Sequence, residues 1–126
     1  MIKILELKNI KLASINKKYG GVNKHTGRMF LSKDYISTQE MLYLSLRKVK
    51  IDSPIQLDIY LESYKDIDNI IHNIVNSIQK KGIIKNDRDI NCLKVYKKAL
   101  KKGSLDSIHV FIKTSELDYN KQFELL

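Results

Sequence analysis

Apolar and polar residues alternate along this chain with two different periods, and the change of period marks the elements. In residues 2–8, IKILELK, Ile2 and Ile4 flank Lys3, and Leu5 and Leu7 alternate with Glu6 and Lys8. A period of two predicts a half-buried strand. The phase slips at the Ile4–Leu5 step, as a bulge or a partly covered second face would require. Residues 14–28, SINKKYGGVNKHTGR, lose the pattern and hold three of the five glycines, which predicts a mobile basic loop. MFLS follows as a candidate short strand. Residues 33–48, KDYISTQEMLYLSLRK, read as a helix that crowds Tyr35, Ile36, Met41, Leu42, Leu44 and Leu46 towards a buried side.

Pro54 opens a second strand, PIQLDIYLES, in which Ile55, Leu57, Ile59 and Leu61 alternate with Gln56, Asp58, Tyr60 and Glu62. A helix is then predicted from Asp66 to Lys81. Ile67, Ile70, Ile71, Ile74, Val75 and Ile78 form a stripe at helical spacing, and Gly82 ends it. RDINCLKVYKKAL and LDSIHVFIKTS read as two strands, and Lys101–Lys102–Gly103–Ser104 between them signals a hairpin. The tail ELDYNKQFELL is ambiguous. The predicted order is β-α-β-α-β-β. It describes one α+β domain over residues 1–126, with a mixed sheet and helices packed on it.

Composition narrows the partners. An apolar content of 43% in 126 residues is enough for a real core. No run of 18 apolar residues occurs, so no membrane helix is expected. The N-terminal segment reads as a strand rather than a signal peptide. The single cysteine, Cys92, has no internal partner, which fits a reducing cytoplasm and excludes a cysteine-built zinc site. Lys and Arg total 23 against 14 Asp and Glu, a net charge of +9. So large an excess favours a polyanion, nucleic acid before an anionic membrane surface. A Lys-rich composition inherited from an AT-rich genome is the plain alternative. Arg28, Arg47 and Arg88 are the only arginines. Phosphate binding through lysine should be salt-sensitive and largely blind to sequence.

Against this basic background the acids of KDIDNIIHNIVNSIQKKGIIKND, residues 65–87, stand out. Asp66 and Asp68 sit at the front of the predicted helix and Asp87 just past its end. Asp66 alone is explained as a cap that accepts backbone N–H bonds. The side opposite the isoleucines carries Asp68, Asn69, His72, Asn73 and Asn76. Of these, Asp68, His72 and Asn76 line one edge, spaced by four. Carboxylates grouped on a basic surface are what a Mg²⁺-dependent nuclease needs. The lysines hold phosphates, and the carboxylates hold a hard cation that polarises the scissile phosphate and acidifies a water.

KDIDN followed by KKGIIKND resembles the signature of RusA-type Holliday-junction resolvases. That signature has an Asp-x-Asp-Asn opening a helix, then a basic-Gly-hydrophobic turn and a polar-Asp pair. ASINKKY near the front resembles the Ser-Asn-containing basic segment of the same family, and the likeness covers most of residues 10–115. The resemblance implies a homodimeric endonuclease that binds four-way DNA junctions and nicks two opposing strands. It implies Asp66, Asp68 and Asp87 as catalytic, metal-binding carboxylates with Mg²⁺, for which Mn²⁺ can substitute. It also implies a cytoplasmic protein of bacterial, phage or plasmid origin. His72 stands where the family usually has a lysine, and Asn76 where it often has an acid. A neutral imidazole can still donate a hydrogen bond or ligate a metal, so His72 is retained as a catalytic candidate. Asn86 precedes Asp87, so no second carboxylate adjoins it.

Lys17, Lys18, Lys24 and Arg28, with His25, form a candidate DNA-gripping cluster in the glycine-rich loop. Lys65 and Asn69, which flank the acids, are further candidate DNA contacts. Tyr19 is a candidate for stacking on an unpaired base, and His109 and Cys92 are read as ordinary sheet and core residues. A helix from Asp66 to Lys81 runs about 22 Å. Six extended residues span roughly 20 Å, so Asp87 can just return to the front, or else a second copy completes the site. A non-catalytic branched-DNA-binding protein and a flap nuclease are the alternative readings.

Overall fold

The computed structural model describes residues 1–13 and 19–126, the side chains of Asn69 and Tyr119 excepted. Strand β1 (Ile2–Ile10) is followed by two short strands, β2 (Tyr19–Val22) and β3 (Met29–Leu31), and by helix α1 (Lys33–Ser45). Strand β4 (Ile55–Ser63), helix α2 (Asp68–Lys80), strands β5 (Ile90–Ala99) and β6 (Asp106–Thr114) and a short helix α3 (Tyr119–Phe123) complete the chain. The fold is α+β, with a four-stranded mixed sheet in the order β1-β6-β4-β5.

The phase slip at the Ile4–Leu5 step coincides with a register shift of β1 against β6 between Lys3 and Leu5. Ile4 and Leu5 are consequently both buried. The glycine-rich stretch departs from expectation. Tyr19–Val22 pairs antiparallel with Met29–Leu31 instead of remaining loop. Gly20 and Gly21 explain the pairing, because a Cβ on either would press into the Phe30 ring at 2.9–3.0 Å.

The predicted hairpin between the last two long strands does not form. Strand β4 lies between them, parallel to β5 and antiparallel to β6. The burial pattern gives the reason. Residues Ile55 to Ile59 of β4 are buried on both faces, as a central strand requires. Strand β5 carries Lys94 and Lys98 exposed, as suits an edge. Parallel neighbours need a crossover, and α2 supplies it.

Helices α1 and α2 cover one face of the sheet. Ile70, Ile74 and Ile78 of α2 meet Leu42 and Leu46 of the α1 segment, Leu57, Ile59 and Leu61 of β4, and Ile108, Val110 and Ile112 of β6. Ile67 precedes the helix and is 40% exposed, so it leaves the stripe to which its spacing assigned it. Helix α2 ends as Gly82 predicts. At φ 79° this glycine donates to the Gln79 carbonyl at 3.0 Å, and Ile83 donates to the Ile78 carbonyl at 3.3 Å. Ser32 caps α1 by accepting from the Tyr35 N–H at 3.2 Å. On the other face Tyr60 and Tyr96, opposite each other in register, stack at 4.8 Å, and Phe111 meets Tyr60 edge-on.

Ile74→Ala should lower the free energy of unfolding in urea by about 3 kcal/mol. Ile67→Ala should change it by no more than about 0.5 kcal/mol. Equal losses would mean that α2 packs in a different rotation.

Candidate functional site

Asp66 and Asp68 lie where β4 hands over to α2. The α2 N-cap position is Ile67, in helical conformation, and no side chain caps it. Capping therefore does not account for Asp66. Both carboxylates are exposed. Asp66 stands on the wall of a cleft of about 660 Å³ shared with Lys11, Leu12, Met41, Tyr64 and Lys65. Asp34 and Lys102 also line this cleft, whereas Asp68, two residues beyond Asp66, does not.

The turn is hydrogen-bonded to a residue that the sequence reading did not single out. Asp106, the first residue of β6, is 0% exposed. Its Oδ1 accepts from Ser63 Oγ at 2.5 Å. Its Oδ2 accepts from Lys65 Nζ at 2.5 Å and from the Leu12 N–H at 3.0 Å. Ser63 Oγ in turn accepts from the Lys65 N–H at 3.0 Å, and Lys97 Nζ donates to the Lys65 carbonyl. Lys65, expected at DNA phosphate, directs its ammonium inward onto Asp106, with its side chain only 10% exposed. The signal was present in LDSIHVFIK: Asp106 shares the strand parity of Ile108, Val110 and Ile112, so a carboxylate stood in phase with core residues.

Asp87 is elsewhere. Ile90 of β5 pairs with Ile55 at the start of β4, whereas Ser63 at its end pairs with Ala99. Those ends are separated by eight residue steps, roughly 26 Å of strand. Asp68 opens α2 at one end of the sheet, and Asp87 opens the short 3-10 turn that enters β5 at the other. Ile83 and Ile84 are buried in between, and Asn86 and Asp89 close a reciprocal capping box, so the chain does not double back. Among the described residues no three His, Cys, Asp or Glu side chains gather as a metal-holding group.

His72 is exposed on α2 and Asn76 is half-buried. Asn73, assigned to the polar side, is instead 1% exposed and donates to the Ala13 carbonyl at 3.3 Å. The Ala13 N–H donates to Thr38 Oγ1 at 2.9 Å. Leu12 and Ala13 are therefore anchored just before residues 14–18. Lys17 and Lys18 lie outside the described residues, as does the side chain of Asn69. Lys24 and Arg28 are exposed where β2 turns into β3, and Asn23 Oδ1 accepts from the His25 and Thr26 N–H groups there. Cys92 is half-buried on the face opposite the helices, next to Gln56 in register, rather than in the core. His109 is a sheet residue of β6, 3.8 Å from Glu6. No helix among the described residues is long and apolar enough to cross a membrane.

No protein-family model matches the chain, and no match was found among curated proteins. The resemblance to RusA-type resolvases thus rests on the residues that carry it.

Lys65→Met would leave the Asp106 carboxylate buried without its cation. Breaking a buried pair from one side typically costs about 3–5 kcal/mol, so the urea midpoint should fall markedly. An unchanged midpoint would show that the pair contributes nothing to the fold.

Proposed function

We propose that this protein is a divalent-metal-dependent endodeoxyribonuclease of RusA type that resolves four-way DNA junctions as a homodimer. The observation that carries the reading is the Asp66–Asp68 turn, two exposed carboxylates on a strand-to-helix junction, of which Asp66 lines a cleft together with Lys11, Lys65 and Lys102. The net charge of +9 supports a polyanionic substrate. Mg²⁺ is commonly held by one or two carboxylates together with substrate phosphate and water, so Asp66 and Asp68 suit it in type. Bound there, it would supply Lewis acidity at the phosphate. Asp87, at the far end of its own sheet, would join that pair only from a second copy. A two-fold dimer that pairs opposite ends has two such composite sites, which matches a two-fold junction cut on opposing strands. His72 and Lys24, with Arg28, are assigned to orienting phosphates.

The alternative, a branched-DNA-binding protein without cleavage, draws on the lack of a three-ligand group among the described residues of a single chain. Mixed dimers separate the readings. Asp68→Asn and Asp87→Asn proteins should each fail to cut a labelled junction in Mg²⁺ or Mn²⁺. Refolded together, they should regain single nicks, because one composite site keeps every acid. Two inactive variants that stay inactive when mixed would refute the composite site. Tight junction binding without cleavage by the wild type would leave only the binding reading, and a flap cut in preference would redirect the substrate.

Junction affinity should also fall steeply with salt. Lys24→Ala combined with Arg28→Ala should reduce the slope of log K against log [salt] by about 0.9 for each phosphate that is no longer neutralised. An unchanged slope would remove that turn from the DNA interface.

A further inference from the structure

We infer that Asp106 is a positioning residue that sets the direction of the Asp66–Asp68 turn, an inference that rests on the reading of those acids as the functional pair. Every polar group of Lys65, the residue before Asp66, is bound. Its N–H goes to Ser63 Oγ, its ammonium to Asp106 Oδ2 and its carbonyl to Lys97 Nζ. Among the described residues none hydrogen-bonds the Asp66 carboxylate, and no side chain caps α2. The course of the chain into Asp66 is therefore inherited from Lys65, and Lys65 is held by Asp106 both directly and through Ser63.

The core alone does not need this carboxylate. Buried ion pairs are often replaced by apolar residues without loss of stability, so a fully buried acid at a core-facing strand position calls for another reason. Its contacts supply one. Asp106 draws together three separate segments: Leu12 at the exit of β1, Ser63 at the end of β4, and Lys65 in the turn. The segment that leads to Lys17 and Lys18 and the turn that bears the acids start from one carboxylate.

The test uses the full-length protein and Asp106→Asn, which keeps the shape and an acceptor but removes the charge. Ser63→Ala serves as a milder second variant should Asp106→Asn fail to fold. Amide hydrogen exchange is read at Lys65 to Ile70 and, as control, at β4 residues Leu57 to Leu61. We expect exchange in the turn to accelerate at least tenfold in Asp106→Asn and two- to fivefold in Ser63→Ala, with β4 unchanged. In junction cleavage we expect kcat to fall at least tenfold, junction affinity without metal to change less than threefold, and the half-saturating Mg²⁺ concentration to rise. Wild-type exchange in the turn of a folded variant overturns the inference. So does faster exchange with wild-type kcat and Mg²⁺ dependence, and so does a loss of affinity in proportion to kcat. The exchange arm does not depend on cleavage. A wild-type protein that cuts no junction overturns the nuclease reading, and the exchange result then decides alone whether Asp106 sets the turn.

Discussion

Strand β4 pairs along both edges, antiparallel to β6 through Glu62 and parallel to β5 through Ser63. The parallel pairing is the constraint on which the rest of the molecule depends. Parallel neighbours cannot be joined by a tight turn, so the chain must leave the end of β4 and travel back to the start of β5. The isoleucine stripe of α2 makes that return trip productive, because Ile70, Ile74 and Ile78 bury against the strands they connect. Gly82 stops the helix at the far end, where Ile83 and Ile84 seal the turn into the core.

The same constraint distributes the chemistry. Whatever opens α2 stands at one end of the sheet, and whatever opens β5 stands at the other. Asp68 and Asp87 lie on opposite sides of that divide although only 19 residues separate them in the sequence. Their separation in one chain is not a defect of the proposed site when two chains meet with opposed polarity. In the proposed enzyme it would also limit activity to an assembled dimer, since a single copy does not present the three acids together.

Local chemistry was legible in the sequence, and partner choice was not. The register shift after Lys3, the Gly82 stop and the alternation in β4 were each readable because each depends on a residue and its near neighbours. The hairpin at Lys101–Ser104 was misread because its turn signal is genuine: Gly103 does sit at φ 89° and Ser104 does donate to the Lys101 carbonyl. What no local pattern encodes is that β6 passes beyond β4 before it pairs. That outcome is set by β4, whose burial on both faces demands a neighbour on each edge. Asn73 was misplaced for a related reason. Helical spacing put it on the polar side, but the partner of that side is the α1 layer and Ala13, not water.

The site divides along the same line. Asp66, Asp68 and Asp87 were candidates from residue type and from the resemblance to RusA-type resolvases, whereas Asp106 was missed because its meaning lies in contacts 41 to 94 residues away. Yet the discordance of an acid in phase with Ile108, Val110 and Ile112 was visible. Burial penalises a charge heavily unless geometry compensates it, so a charged residue on the core parity of a strand points to a partner that must exist. Here the partner is Lys65, and it adjoins the acids. A lysine beside a carboxylate pair on a basic protein invites a phosphate contact as its role. Its burial against Asp106 argues instead that part of the positive charge around the acids serves to hold the chain beside them, and that the lysines open to the proposed polyanionic substrate are exposed ones, such as Lys24.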